Sequence, residues 1–281
     1  MLASLIIVFR EVLEAGLIVG IVLAATKGVA GRGRWVTLGI VGGITGSCVV
    51  AAFADGISAL FADTGQELFN AGVLLVAVAM LAWHNAWMAQ HGRELACDMK
   101  AVGRAVSSGE TSLAALAVVI GVAVLREGSE VVLFLTGILA SDDGGFATVV
   151  AGGLGGMALG ALVSVLLYAG LLQIPTRHLF ATTTWLLTLL AAGMAATATN
   201  FLAQAGILMA GGTVLWDTSG MLRDNSLIGQ ALHILVGYTD RPTAAQLAAY
   251  LAVVAGILLL TRWASRGNTP TNGPRMVSPA E

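Results

Sequence analysis

The feature that most constrains the fold is a cluster of charged residues inside a long apolar segment. Arg10, Glu11 and Glu14 form an R-E-x-x-E motif, with nine uncharged residues before it and twelve, from Ala15 to Thr26, after it. About 20 apolar residues of helix cross a hydrocarbon core about 30 Å thick. The segment therefore predicts a membrane span with charges near its middle. Each central charge costs about 2.5 to 3.5 kcal/mol on insertion scales, and such residues are functional by default.

The motif occurs a second time in the chain. Arg126, Glu127 and Glu130 repeat the same spacing in the middle of another apolar run, from Ser112 to Ala140. The composition agrees with a membrane protein, because 57% of the residues are hydrophobic and only 11% are charged, which is far from a soluble domain. The two cysteines have no spacing typical of a metal site.

Seven apolar segments are long enough to span a bilayer, which predicts an all-α integral membrane protein with seven transmembrane helices. They are residues 2–26, 35–61, 66–88, 112–140, 146–172, 178–210 and 243–263. Most basic residues follow the odd-numbered spans and so lie on one side: Lys27, Arg32, Arg34, Arg93, Lys100, Arg104, Arg177, Arg262, Arg266 and Arg275. By the positive-inside rule, we expect the N-terminus outside and the C-terminus in the cytoplasm, across the cytoplasmic membrane.

The two motif helices are three spans apart, so they are predicted to run in opposite directions through the bilayer. Spans two and five carry small-xxx-small glycine ladders, which let helices approach closely. Inverted repeats with polar groups at the midplane are typical of secondary transporters. The predicted organisation is a first three-helix repeat (1–90), a cytoplasmic loop (91–111), a second, inverted three-helix repeat (112–210), an extracytoplasmic loop with a short re-entrant or interfacial helix (211–242), a seventh span (243–263) and a disordered cytoplasmic tail (264–281).

The motif spacing indicates a cation site. Residues three and four apart share one helix face, so both glutamates of a motif can reach one ligand. Two facing copies would gather four carboxylates as metal ligands, supported by two arginines: Glu11, Glu14, Glu127, Glu130, Arg10 and Arg126. Oxygen ligands suit hard or borderline cations such as iron, manganese, magnesium or calcium. The alternative is that arginine and glutamate only pair to hold helices together, but the doubled motif with a surplus carboxylate in each copy favours a cation site.

Further acidic residues are candidates for the ion path. Asp55 lies near the outer end of span two, where it is either a path residue or a charge at the membrane interface. Asp63 and Glu67, with the pair Asp142-Asp143, could form an acidic outer vestibule that concentrates cations. Solvated loop charge is the alternative interpretation of the vestibule.

One histidine is a candidate of lower rank. His84 lies between Trp83 and Trp87 near the predicted inner end of span three. Aromatic residues are enriched at membrane interfaces, so the first interpretation is an aromatic belt and the second is a ligand on the exit path.

At these residues the chain resembles the high-affinity iron permeases of bacteria and fungi, the oxidase-linked or EfeU-type iron transporters. The likeness includes both R-E-x-x-E motifs, residues 66–69, the stretch from Asp217 to Gly229, and Gly237-Tyr238. The resemblance implies seven spans, an outside N-terminus and uptake of ferrous or ferric iron. The chain departs from the relatives in two places: Asn70 stands in place of an acidic residue, and Ala203-Gln204 stands in place of a His-Glu pair.

The resemblance also implies partners. Such permeases work with a periplasmic iron-binding protein and a haem-containing peroxidase-like protein, or in fungi with a copper oxidase. Iron would be the transported substrate in a lipid bilayer, and we expect no tightly bound cofactor and no nucleic-acid partner.

Other functions remain as alternatives. The transported ion could be another divalent metal such as manganese or lead. An intramembrane metal-dependent hydrolase would use the carboxylates to hold a metal-activated water, and its only candidate nucleophile is Ser129. A structural or sensory subunit would use the motifs only as helix clamps. We expect a transporter and not an enzyme.

Overall fold

The computed structural model describes residues 1–60, 66–140, 145–170, 176–208, 211–223 and 226–266, and these residues are all-helical apart from loops and one isolated β-bridge between Val214 and Thr243. The helices are α1 (Leu2–Ala25), α2 (Arg32–Leu60), α3 (Gln66–Ser107), α4 (Ala114–Ala140), α5 (Gly145–Tyr168), α6 (Thr176–Gln204), α7 (Leu227–Val236) and α8 (Ala244–Arg266). The predicted all-α class is confirmed.

Five helices are long and apolar enough to cross a membrane. They contain the segments Arg32–Phe53, Glu67–Met88, Gly145–Tyr168, Ala181–Gln204 and Ala244–Trp263. Helices α1 and α4 are of similar length, with 24 and 27 residues, but each carries three ionisable residues of a motif near its centre. The chain is therefore a multi-pass membrane protein.

Helix α3 is longer than its apolar run, and the prediction of a loop over 91–111 is wrong. The helix continues to Ser107, because the residues after Met88 include many strong helix formers. The helix ends where Gly109 adopts a φ of 80°, and Arg104 lies in its last turn, where a cation is favourable. Hydropathy located the end of the apolar run and not the end of the helix.

Helix α2 packs closely on α4 through two glycines. A Cβ atom at Gly39 would lie 2.7 Å from the Ala117 carbonyl oxygen, and one at Gly43 would lie 2.8 Å from the Gly121 carbonyl oxygen. Only glycine fits such contacts without a shift of backbone. Because the contacts advance in the same order along both chains, α2 and α4 run parallel.

Helix α5 packs on α1 in the same way. A Cβ at Gly156 would collide with the backbone at Leu5 and Phe9, and one at Gly160 would lie 2.8 Å from the Phe9 carbonyl oxygen. Farther along, Gly16 of α1 faces α5. The contacts again advance in the same order, so α5 and α1 run parallel.

Helix α3 lies against both motif helices. It runs in the same direction as α1, since His84 lies beside Glu14 and, further along both helices, Gly103 lies beside Ala25. The Ser107 hydroxyl also donates to the Ala25 carbonyl at 2.8 Å. Helix α3 runs opposite to α4, because Ala77 lies beside Gly137 while His84, further along, lies beside Glu130 nearer the start of α4. The three helices α1, α3 and α4 thus share one interface in the middle of the protein.

The apolar core lies beside that interface. It includes residues of six helices: Ala3, Ile7, Leu74, Ala77, Val78, Leu81, Phe134, Ile138, Val149, Leu187, Leu190, Ala191, Met194, Ala195, Ala198 and Ile257. Small alanines of α6 allow the helices to approach closely in this core.

The short helix predicted between Ser226 and Gly237 is confirmed as α7. The Ser226 hydroxyl accepts a hydrogen bond from the Gly229 amide at 2.9 Å, which makes it the N-cap; the other candidate, Asn225, lies outside the described residues. Gly237 ends the helix with a φ of 72° and lies against the backbone of Gly193 in α6. This position therefore needs glycine for both its conformation and its space.

The loop before α7 is held by an ion pair. The Asp217 carboxylate accepts hydrogen bonds from the hydroxyl and amide of Ser219, and it lies 3.0 Å from Arg241. The Ser219 donors and the Arg241 guanidinium lower the pKa of Asp217 to about 2. The Asp217 carboxylate is thus paired with other residues of its own chain.

Candidate metal centre

The two motifs meet at the centre of the protein. Arg10, Glu11 and Glu14 project from the middle of α1 and are all at most 3% exposed, and Glu127 of α4 is also 3% exposed. Glu130 is less buried, with 13% of its side chain exposed. Buried charges of this kind need partners or a bound ion.

Four side chains are arranged as a metal-binding group. Glu11, Glu127, Glu130 and His84 each offer one ligand atom, and these atoms all lie within 4.8 Å of one another. They come from α1, α4 and α3. Within the described part of the chain, no other group of three or more histidine, cysteine or acidic residues is arranged in this way. A set of carboxylate oxygens and one imidazole nitrogen suits borderline divalent metals such as Fe²⁺ or Mn²⁺.

The fourth predicted ligand, Glu14, lies just behind this group. Its carboxylate pairs with Arg10 Nε at 2.9 Å and lies 3.5 Å from His84 Nε2. Arg10 also contacts Glu11, with Nη1 to Oε1 at 3.4 Å. In this geometry Glu14 orients His84, which is the arrangement by which outer carboxylates fix metal-binding histidines.

The first interpretation of His84 as part of an interfacial aromatic belt is wrong. The side chain is 2% exposed, and its two ring nitrogens face carboxylates of both motifs: Nδ1 contacts Glu130 and Nε2 approaches Glu14. His84 therefore lies level with both motifs. The second interpretation, a residue of the ion path, agrees with this position.

The group has spare acceptors. Glu11 Oε2 and Glu127 Oε2 are buried and accept no hydrogen bond from any described residue. Buried acceptors of this kind are costly, because they have lost water and gained no donor. A bound cation would satisfy both oxygens.

The second motif is more open than the first. Arg126 Nε donates to Glu130 at 3.3 Å and lies 3.9 Å from Glu127, while its side chain is 34% exposed. Its guanidinium carbon lies 4.0 Å from the centre of the Trp87 ring. A cavity of about 320 Å³ opens beside it, lined by Met80, Trp83, His84, Trp87, Arg126 and Glu130.

Of the remaining acidic candidates, only Glu67 has a described side chain, and it does not join this group. Glu67 is exposed in the first turn of α3, where a negative charge is favourable to the helix. Asp63, Asp142 and Asp143 lie outside the described residues, as does the side chain of Asp55. The predicted vestibule therefore stays a prediction.

Two further residues, Trp87 and Ser129, contact or belong to the second motif. Trp87 contacts Arg126, and its place three residues after His84 on α3 was the available signal, since such residues share a helix face. Ser129, the only nucleophile considered for a hydrolase, donates its hydroxyl to the Leu125 carbonyl at 2.7 Å and is not part of the metal-binding group. That contact gives no support to a hydrolytic site.

Comparisons with known proteins identify the family of the chain. The Ferrous iron permease EfeU of Yersinia pestis is 29% identical over 92% of this chain and 93% of its own. The protein of that name from Escherichia coli O6:K15:H31 is 29% identical over 92% and 96%, and that of Shigella sonnei is 29% identical over 89% and 91%. No solved structure matches the chain. The model of the Iron permease FTR1 family matches residues 1–264, which confirms the resemblance and a transporter in place of an enzyme: the chain belongs to the iron permease FTR1 family.

Proposed function

We propose that this permease carries Fe²⁺ across the cytoplasmic membrane through the group formed by Glu11, His84, Glu127 and Glu130. The observation that carries the proposal is the convergence of three buried side chains and one partly buried side chain, Glu130, from three helices, with ligand atoms within 4.8 Å of one another. Membership of the iron permease family supports iron as the cargo, and the relatives named above are ferrous permeases.

The ligand set favours the ferrous ion over harder cations. A site built only from carboxylates suits Mg²⁺ or Ca²⁺, whereas an added imidazole suits borderline transition metals. His84 therefore shifts the preference of the site towards Fe²⁺, with Mn²⁺ as the nearest competitor. Lead is the other competitor to be tested.

Seven transmembrane spans in two inverted repeats are part of the proposal. Helices α2 and α4 run parallel, and so do α5 and α1, through corresponding glycine contacts. Helix α3 runs parallel to α1 and antiparallel to α4, so the two motif helices α1 and α4 run in opposite directions. An inverted repeat that relates the first three helices to the next three requires this arrangement. An inverted repeat with its site between the halves supports alternating access from the two sides.

The proposed orientation has the N-terminus outside and the C-terminus in the cytoplasm. It is supported by the excess of lysine and arginine in the connections after spans one, three, five and seven. A periplasmic iron-binding protein and a peroxidase-like or oxidase partner, which would act on the outer side, remain proposals from the family resemblance.

Site-directed labelling tests the orientation. In a chain without its native cysteines, Asp143→Cys should react with an impermeant thiol reagent added to intact cells, and Lys100→Cys should react only after the membrane is opened. The reverse pattern would exchange the two sides of the membrane. It would leave the repeat itself intact.

Uptake by the purified protein in lipid vesicles tests the function. Vesicles should accumulate Fe²⁺ kept reduced by ascorbate, with saturation, and Mn²⁺ and Pb²⁺ should be tested as competitors alongside Mg²⁺. Protein-free vesicles and vesicles with Glu127→Gln serve as controls. Iron accumulation no faster than in these controls, with the wild-type protein shown to be inserted, would refute the proposal.

A further inference from the structure

Helix α3 meets the second motif with two side chains in register. His84 contacts Glu130, and Trp87 lies under Arg126 with 4.0 Å between the guanidinium carbon and the ring centre. The two residues of α3 are three apart, the two residues of α4 are four apart, and the helices are antiparallel. One face of α3 therefore contacts both Glu130 and Arg126 of the second motif.

The two arginines differ in their burial and in their distances to the glutamates. Arg10 is 1% exposed and reaches both glutamates of its own motif, at 2.9 and 3.4 Å. Arg126 has a side chain that is 34% exposed, donates one hydrogen bond through Nε at 3.3 Å and stays 3.9 Å from Glu127. Its planar group lies over an indole, a position that guanidinium groups favour.

The indole is itself held in place. The Trp87 and His91 rings stack with 5.0 Å between their centres and 19° between their planes. The His91 Nδ1 atom lies 3.2 Å from the Trp87 carbonyl oxygen, one turn back along α3. Trp87 thus presents a fixed surface to Arg126.

We propose that Trp87 is a positioning residue that holds the Arg126 guanidinium over its ring, so that Arg126 keeps a single hydrogen bond to Glu130 and leaves the Glu127 carboxylate free to bind the cation. The proposal rests on the function proposed above and adds a determinant of affinity to it. Without the ring, the terminal amino groups of Arg126 would be free to pair with Glu127, as Arg10 Nη1 pairs with Glu11 in the first motif. They would then compete with the metal.

This competition predicts a change in affinity with little change in maximal rate. Loss of a partly desolvated cation–π contact corresponds to about a tenfold change in an equilibrium. Trp87→Leu should therefore raise the KM for Fe²⁺ uptake about tenfold, and it should weaken equilibrium Fe²⁺ binding to the detergent-purified protein by the same factor. Trp87→Phe keeps an aromatic face and should stay within about threefold of wild type.

The matched control is Trp263 of α8, which does not line the cavity beside Arg126. It is 76% exposed and makes no cation–π contact among the described residues. Trp263→Leu removes an indole of the same size and should leave KM unchanged. Should Trp87→Leu fail to insert, Trp87→Met removes the ring with a more adaptable side chain and serves in its place.

A double mutant separates positioning from a general effect on the helix. If Trp87 acts through Arg126, adding Trp87→Leu to Arg126→Gln should not weaken Fe²⁺ binding further. A tenfold loss that persists in that background would overturn the proposal, and so would equal Fe²⁺ affinity in Trp87→Leu and wild type. Absence of Fe²⁺ uptake by the wild-type protein would refute the proposed function instead, so the two failures are distinguishable.

Discussion

The two copies of the R-E-x-x-E motif have the same residues and spacing, but their surroundings differ. The first copy is closed: Arg10 is buried and pairs with Glu11 and Glu14. The second is open: Arg126 lies partly exposed at a cavity, over an aromatic ring. A repeat in the sequence therefore places the same residue types in both motifs, while the helices packed around each motif give those residues different roles.

Helix α3 is the source of the asymmetry. It supplies His84 to the metal-binding group and contacts both motifs, whereas α6, its counterpart in the proposed repeat, contributes no ligand among its described side chains. The group therefore takes one glutamate from the first motif and two from the second. Positions 14 and 130 are equivalent in the motif, but only Glu130 is a member.

The largest expected effect tests whether the copies are equal as ligand donors. Glu11→Gln and Glu127→Gln each keep the side-chain shape and remove the charge of a proposed ligand. Loss of an outer partner of a metal ligand costs about 10- to 100-fold, so loss of a ligand should reduce Fe²⁺ uptake by at least about 100-fold. Uptake by reconstituted vesicles, at matched protein insertion, measures the effect. Unequal losses would mean that one of the two carboxylates is not a ligand.

The next effect sharpens the difference between positions 14 and 130. Glu130→Gln removes a member of the metal-binding group and should resemble Glu11→Gln. Glu14→Gln removes only the carboxylate behind His84, so we expect a smaller loss of Fe²⁺ affinity, about 10- to 100-fold. Equilibrium binding to the purified variants compares them directly. If the two variants were equally impaired, Glu14 would also be a ligand, as the sequence alone suggested.

The fold was largely predictable from the sequence, and the site only in part. Apolar runs located the membrane helices, and the short amphipathic helix α7 was predictable from its capping residues. The motif spacing brought the glutamates together, since residues three and four apart share a helix face. His84 could not be placed, because hydropathy does not encode how far one helix is shifted along another. That shift depends on contacts between helices, such as the close approach of Gly103 to Ala25, which a single apolar run does not predict.

The third effect concerns the arginines. Arg10→Gln leaves two buried carboxylates without their partner, a loss of about 3 to 5 kcal/mol in typical buried pairs, and Arg10→Lys keeps the charge but loses the fork. Arg126 is partly exposed, so Arg126→Lys should change uptake by no more than about threefold. Thermal unfolding in detergent and Fe²⁺ uptake, measured on the same preparations, should rank Arg10→Lys as the more damaged protein. The opposite ranking would contradict the description of the first motif as the closed copy.

The smallest effect tests whether the two corresponding helix interfaces, α2–α4 and α1–α5, pack equally well despite the unequal motifs. A methyl group at Gly43 would lie 2.6 Å from the Val124 Cβ atom, and one at Gly160 would lie 3.0 Å from the Val12 Cβ atom, so Gly43→Ala and Gly160→Ala must each displace a motif helix. Such overpacking costs about 1 to 3 kcal/mol. Gly42 has no atom within 4 Å of the added methyl among the described residues, and alanine is the better helix former, so Gly42→Ala should be neutral or slightly stabilising.

Thermal unfolding in detergent compares these three variants, and Fe²⁺ uptake should fall only as far as folded protein is lost. Similar losses of stability at Gly43 and Gly160, with none at Gly42, would place the asymmetry of the molecule in the surroundings of the motifs alone. A clear destabilisation at only one of the two packed glycines would extend the asymmetry to the helix interfaces, because a looser interface accommodates the added methyl by a small shift. In that case the looser of the two interfaces is the one at which we expect the helices to move when the site changes the side to which it is open.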